Sequence, residues 1–402
     1  MGSVAVISMH TSPLVQPGTG DSGGMNVYVR ELSASLAQAG VDVRVYVRTW
    51  ADGLPDRVQV EPGLEVVHVP AGPVDLAKED LPSVVGEFTD GVAADLEGTD
   101  VDVLHANYWL SAVAGHDLKH RLDLPLVATF HTLARVKAEA GDAEPLARAV
   151  AESRVIGCCD AICASNPVEA EQLVEFYDAP VERIEMVPPG VDHAFFSPGD
   201  RDGARAALSL DDRPTLLFVG RIQPLKGLTV AVEALARLTD RTARLVVVGG
   251  PSGVDGPAEW ERVQKLVAER GLGDRITFVE PQPHHRLSTF YRAADVVVVP
   301  SRSESFGLVA LEAAACGVPV VAAAVGGLRT LVREDETGFL VDGRDPGAFA
   351  ARVDELLAHP DRARGMGRAA AAEARRYAWS TTAGRLRRLY ADLRVRTPVE
   401  CR

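Results

Sequence analysis

The sequence predicts an α/β protein of two domains, each a mostly parallel sheet wrapped by helices. Three observations carry this. Short β-branched runs alternate with amphipathic helical stretches along the chain. That rhythm breaks once, in the proline- and glycine-rich segment "PPGVDHAFFSPGDRDG" from Pro188. A length of 402 residues is also too great for one ordinary core.

In the first half the strand candidates are Val4–Met9, Val41–Arg48, Leu64–Val69, Val101–His105, Leu126–Phe130, Ala161–Ala164 and Ile184–Val187. Helices fit between them; one starts near Met25, with Met25, Val29, Leu32 and Leu36 on one face. After the break, "TLLFVG", "RLVVVGG", "ITFVE", "DVVVVPS" and "VPVVAAA" read as strands buried on both faces. The expected division is residues 1–190, residues 191–380, and residues 381–402 as a helix crossing back to the first domain, with a tail. In such open sheets ligands bind at the carboxyl ends of strands, so the loops just after strands are where chemistry is sought.

Composition narrows the classes. With 47% hydrophobic and 24% charged residues the chain reads as globular, and no run is long enough to span a bilayer. The start "SVAVISMH" reads as a strand and not as a secretory signal. A net charge of −14 argues against nucleic acid or an anionic membrane as the main partner. The five cysteines include no C-x-x-C pair, so the expectation is buried thiols in a reducing cytoplasm, with no zinc or redox site.

Three loops carry candidate chemistry. Glycines 18, 20, 23 and 24 lie between the first strand and the first helix, where bare backbone N–H groups can approach an anion. A flexible surface turn is the competing reading there. In "FVGRIQPLKG", Arg221 and Lys226 flank a stiff turn after the first strand of the second domain, as a diphosphate clamp would. In "SESFGLVALEAAACGVPV", Glu304 precedes a helix and Glu312 sits about two turns into it, placed to accept hydroxyl hydrogen bonds from a ribose or sugar.

The clamp "GRIQPLKG", the pair "ESFGLVALE" and the later "AVGGL" resemble the family 4 retaining glycosyltransferases of GT-B architecture, in which two Rossmann-like domains face each other across a cleft. The resemblance covers essentially the whole chain. "MHTSPLVQPGTGDSGGMNVYV", "AGPVDLAKEDLP", "NYWLS", "FHTLARVK" and "GGPSG" are similar to the inositol phosphate glycosyltransferases of mycothiol biosynthesis, which move N-acetylglucosamine from UDP-GlcNAc to 1D-myo-inositol 3-phosphate.

That resemblance implies roles. Arg221 and Lys226 would hold the UDP diphosphate, Glu312 the ribose and Glu304 the donor sugar, with Gln16, Pro17 and Gly24 beside the donor. His10 and the segment Asp21, Ser22, Gly23, Gly24, Met25 and Asn26 would line the acceptor pocket. Lys78, Tyr108, Thr132 and Arg148 would grip the acceptor phosphate, and His131 would lie near the transferred sugar. Backbone oxygens at Tyr291, Arg292, Ala294 and Val318 would hold a structural Mg2+, with no cofactor needed for the chemistry. The resemblance also implies a homodimer. His284 and His285 match nothing in it and are expected to be surface residues.

Two departures fall on the acceptor side. Asn107 in "HANYWLS" stands where a histidine is expected, and "ARAVAESRVIGCCDAI" is less polar than usual for the family. Rival readings are a sucrose-phosphate-synthase-like transfer of glucose to fructose 6-phosphate, a nucleotide-sugar epimerase, and a non-catalytic sugar-nucleotide sensor.

Overall fold

The computed structural model describes residues 2–401 except Thr19, Asp21 and Ala143. The chain forms two compact units. The first contains Met1–Leu14, Tyr28–Gly190 and Trp379–Arg402, and the second contains Val15–Val27 and Val191–Ala378. The glycine-rich opening segment thus belongs with the second unit, although it follows the first strand of the first.

The first unit is built on an eight-stranded sheet. Its strands are β1 (Ser3–Ile7), β2 (Asp42–Arg48), β3 (Arg57–Glu61), β4 (Leu64–Val69), β5 (Val103–Asn107), β6 (Leu126–Thr129), β7 (Ala161–Ala164) and β8 (Ile184–Met186). They lie in the order β3-β4-β2-β1-β5-β6-β7-β8. Only the edge strand β3 is antiparallel, pairing with β4. Strands β5, β6 and β7 are buried along their whole length. That is what a parallel sheet covered by helices on both faces requires.

The second unit carries β9 (Thr215–Val219), β10 (Arg244–Val248), β11 (Ile276–Val279), β12 (Val296–Val299), β13 (Val320–Ala323) and β14 (Gly338–Val341). Their order is β11-β10-β9-β12-β13-β14, and every pairing is parallel. Two apolar clusters, one on each face of this sheet, make its core; Leu216, Leu245 and Phe339 lie in one, Leu217, Val297 and Tyr291 in the other.

Both sheets share one topological feature. In the first, β1 pairs with β2 on one side and β5 on the other. In the second, β9 pairs with β10 and β12. At such a point the chain winds away in opposite directions, so the loops after the two central strands part and leave a crevice. The loops concerned are those after β1 and β5, and those after β9 and β12.

The helix Trp379–Arg394 closes the first unit. Its Tyr390 hydroxyl lies 2.6 Å from Nδ1 of His105 on β5, and Thr382 Oγ1 donates to the Pro188 carbonyl at 2.8 Å. Beyond it, the Val399 N–H donates to Asp160 at 2.6 Å. Cys158 and Cys401 are joined as a disulfide, which corrects the expectation of separate thiols. The tail segment is held beside the end of the Leu146–Cys158 helix, a proximity no local spacing announces. Among the described residues no helix is long and apolar enough to cross a membrane.

Candidate active site

In the second unit the site residues gather at the β9/β12 switch point. After β9 the chain turns through Pro224–Lys226, and Gly227 takes φ +73°. A side chain there would be strained by that φ, and its Cβ would lie 2.3 Å from the Pro300 carbonyl oxygen, so only glycine fits. This close approach puts the loop after β9 against the loop after β12. Lys226 Nζ lies 2.7 Å from Glu304 Oε2, with both side chains partly shielded from solvent. Ser301 Oγ is 3.4 Å from the same oxygen. The Glu304 carbonyl accepts from Gly327 N at 3.0 Å, while a Cβ on Gly326 would come within 2.0 Å of that oxygen. The "AVGGL" glycines therefore pin the Glu304 backbone from behind.

Glu312 lies on the Leu308–Ala315 helix, one turn in and not two, and is buried. Its two oxygens are both engaged, Oε1 with His284 Nε2 at 2.7 Å and Oε2 with the Tyr291 hydroxyl at 2.7 Å. His284 is thus not a mere surface residue, which corrects the sequence expectation. Burial and the facing Glu312 carboxylate hold the Tyr291 phenol well above its ordinary pKa, so it stays a donor.

The opening segment contributes to the same unit. Gly23 lies against the Arg221 guanidinium, an added Cβ being 3.3 Å from Nε. Gln16 Nε2 donates to the Pro281 carbonyl at 2.9 Å. Asn26 Oδ1 accepts from the Gly23 N–H at 2.9 Å, so Asn26 shapes the start of the Gly24–Gln38 helix. Pro17, Ser22, Gly24 and Met25 lie in the same stretch, and Asp21 is outside the described residues.

In the first unit the expected phosphate ligands converge around one aromatic ring at the β1/β5 switch point. Tyr108 follows β5 and takes φ 77°, a conformation that a side-chain-bearing residue adopts only when its surroundings enforce it. The His10 ring, after β1, packs on the Tyr108 ring with centroids 4.2 Å apart. Arg148 lies 5.1 Å from the same ring centroid and Lys78 Nζ 5.9 Å. Arg148 also donates to Thr132, at 2.9 Å to the carbonyl and 3.0 Å to Oγ1. Lys78, Tyr108, Thr132 and Arg148 are therefore one cluster, although seventy residues separate the first from the last.

Arg148 is buried but not uncompensated: Glu152 lies at 2.8 Å and Glu144 at 2.9 Å. A buried guanidinium needs such partners to offset its desolvation. Sequence reasoning missed both carboxylates, although their i,i+4 spacing on either side of Arg148 was visible.

His131 lies in the loop after β6 at φ 62°, and its Nε2 lies 2.9 Å from Asn107 Oδ1. Asn107 Nδ2 points toward the His105 carbonyl at 3.5 Å, so its amide oxygen is the atom facing His131. The imidazole then carries its proton on Nε2 and leaves Nδ1 as acceptor. Burial, with the neighbouring His105, pushes His131 down to about 3, and burial does the same to His105. Both rings are neutral near pH 7. Asn107, the departure noted in the sequence, is the residue that sets the His131 tautomer.

Tyr291, Arg292, Ala294 and Val318 lie at the end of the Leu287–Ala293 helix and just after the Leu308–Ala315 helix. Terminal helix carbonyls lack intrahelical donors and sit at the negative end of the dipole, which suits a hard cation. The Tyr291 carbonyl already accepts from Ala294 N at 3.0 Å.

Comparison with known proteins agrees with this architecture. Residues 22–195 match Glycosyltransferase Family 4 and residues 200–373 match Glycosyl transferases group 1. The D-inositol 3-phosphate glycosyltransferase of Xylanimonas cellulosilytica is 48% identical over 98% of each chain. The enzyme of that name from Thermobispora bispora is 46% identical, over 97% of this chain and 94% of its own.

The chain belongs to the D-inositol 3-phosphate glycosyltransferase family. Among solved structures, the sucrose-phosphate synthase of Thermosynechococcus elongatus superposes with TM-score 0.93 at 34% identity, over 98% of this chain and 99% of its own. Anabaena HepE, solved with UDP and glucose, gives TM-score 0.79 at 17% identity over 98% of this chain and all of its own, a likeness of fold alone. The fold is therefore GT-B, and the loops at the two switch points belong to a glycosyltransferase.

Proposed function

We propose that this protein transfers N-acetylglucosamine from UDP-GlcNAc to 1D-myo-inositol 3-phosphate with retention at the anomeric carbon, as in mycothiol biosynthesis. The observation that carries the acceptor assignment is the cluster Lys78, Tyr108, Thr132 and Arg148. Two cations, a hydroxyl and a phenol around one point suit a phosphate monoester better than a neutral sugar. The names of the relatives support the same acceptor.

On this reading Arg221 and Lys226 neutralise the diphosphate, and Glu304 and Glu312 accept hydrogen bonds from sugar and ribose hydroxyls. The bond from C1 to the diphosphate oxygen breaks, and the electron pair leaves with UDP. The acceptor hydroxyl oxygen bonds to C1 on the same face, and its proton passes to a departing phosphate oxygen. Charge stabilisation of that leaving group is the main catalytic contribution. Both donor-side carboxylates have recognition partners, Glu304 with Lys226 and Glu312 with His284 and Tyr291, which favours front-face transfer over a glycosyl-enzyme intermediate. Neutral His131 offers Nδ1 to a hydroxyl of the transferred sugar. The carbonyls at Tyr291, Arg292, Ala294 and Val318 would hold a structural Mg2+ outside the reaction. A cytoplasmic homodimer goes with this reading.

The second reading is glucose transfer to fructose 6-phosphate, favoured by the likeness to sucrose-phosphate synthase. The test is UDP release from UDP-GlcNAc with inositol 3-phosphate, with fructose 6-phosphate and with neither, followed by NMR of the product. Inositol-phosphate-dependent release and an α-linked product are expected. Release without acceptor, release only with fructose 6-phosphate, or a β-linked product would overturn the proposal.

A further inference from the structure

Four ligand-type side chains, two of them the cysteines of the disulfide, meet in the first unit apart from the candidate active site. His116 and His120 stand one turn apart on the Trp109–Leu122 helix, a spacing that puts both rings on one face. Cys158 is the last residue of the Leu146–Cys158 helix, and Cys401 follows the Trp379–Arg394 helix. One nitrogen from each histidine and the two sulfurs all lie within 4.8 Å of one another. His120 Nε2 is 3.0 Å from Cys401 Sγ and 3.5 Å from Cys158 Sγ, and His116 Nε2 is 3.7 Å from Cys401 Sγ.

The Cys158–Cys401 disulfide accounts for the two sulfurs but not for two imidazole nitrogens aimed at them. A tetrahedral ion does account for them. With metal–ligand bonds of about 2.0–2.3 Å, neighbouring ligand atoms fall about 3.3–3.8 Å apart, and two of the three nitrogen–sulfur separations lie in that range. Placement of the cysteines is also secured independently of any bond between them. Asp160 accepts from Val399 N at 2.6 Å and pairs with buried Lys119 at 2.7 Å, while Lys119 donates to the Cys158 carbonyl at 2.9 Å.

We propose that His116, His120, Cys158 and Cys401 form a Cys2His2 site for a tetrahedral, borderline-soft divalent cation, Zn2+ first among them, filled when the two cysteines are reduced. Each thiol gives up its proton as its sulfur binds, so two protons leave per ion and no electron moves. Disulfide formation removes two electrons and two protons from the same thiols, so the bridged pair and the metal site exclude each other. Four protein ligands complete the coordination, which marks the site as structural. Its consequence is mechanical. The helices that supply His116, His120 and Cys158 begin at Trp109 and Leu146, so the ion would tie together the helix that starts after Tyr108 and the helix that carries Arg148.

The test uses full-length protein reduced with a phosphine, freed of metal and titrated anaerobically with Zn2+ or Co2+. One ion per chain is expected, with the d–d and thiolate charge-transfer bands of tetrahedral Co2+ and a rise in melting temperature with Zn2+. Cys401→Ser and His120→Ala should each weaken uptake at least about tenfold. Both positions are exposed, and circular dichroism checks the fold; His120→Gln replaces a variant that fails. Absence of stoichiometric uptake by the reduced wild type, an octahedral Co2+ spectrum, or uptake unchanged in both variants would overturn the proposal.

Discussion

Lys226 Nζ and Glu304 Oε2 lie 2.7 Å apart, joining the loop after β9 to the loop after β12 across the switch point of the second sheet. The pair holds the two side chains together, and on the proposed function the lysine would exchange carboxylate for diphosphate when donor binds. Truncating either partner therefore has two effects: it removes a donor contact and releases the other residue. Lys226→Ala and Glu304→Gln should each lower kcat by about 10²–10³ while the fold is kept, as steady-state rates and circular dichroism would check. A wild-type kcat in Lys226→Ala would remove the lysine from the leaving-group role.

Lys78 reaches the Tyr108 ring and lies outside the buried Arg148–Glu152 pair, so changing it leaves that pair intact. Loss of one charge-assisted hydrogen bond, about 1.5–3 kcal/mol, predicts that Lys78→Ala raises KM for the phosphorylated acceptor about 10–100-fold. The KM for donor should stay constant. Initial rates over a matrix of both substrates separate the two.

His105 and His131 are held neutral, each pushed down to about 3, against an ordinary value near 6.5. Between those values the unfolded chain binds more protons than the native one, so stability rises with pH across the window and is lost as pH falls from about 6.5 toward 3. His131 keeps some solvent contact, so the larger share belongs to fully buried His105. Urea midpoints at pH 5 and pH 7.5 should differ in the wild type, and His105→Gln should shrink that difference whatever it does to stability at pH 7.5. An equal difference in both proteins would contradict the assignment.

Lys119 and Asp160 are nearly inaccessible, and Asp160 also accepts from Leu126 N at 2.7 Å. Removing one partner of such a buried pair costs about 3–5 kcal/mol. Lys119→Met should therefore lower the urea midpoint and free the Val399 segment, seen as faster amide exchange at residues 395–401. A midpoint unchanged from wild type would show that the pair contributes nothing.

The sequence displays much of this architecture because buried parallel strands leave long apolar runs, as in "DVVVVPS" and "RLVVVGG". It hides β3, whose "RVQVE" alternates at an exposed edge and buries none of its residues fully. The loop motifs were legible because switch-point geometry demands particular residues: glycine at 227 and paired charges at 226 and 304. His284 was not, since its partner Glu312 lies 28 residues away and nothing local marks the contact. The Cys158–Cys401 meeting spans 243 residues and rests on the Asp160 anchor, which no spacing rule reveals. Helix position was the other weak point: Glu312 sits one turn into its helix because the chain spends Ser305–Gly307 in the loop before it.

The central claim is that the Lys78, Tyr108, Thr132 and Arg148 cluster reads a phosphate on the acceptor. Its most direct test compares kcat/KM for 1D-myo-inositol 3-phosphate with that for unphosphorylated myo-inositol at saturating UDP-GlcNAc. Two charge-assisted contacts predict a preference of at least about 100-fold for the phosphate. Equal values for the two acceptors would contradict the account.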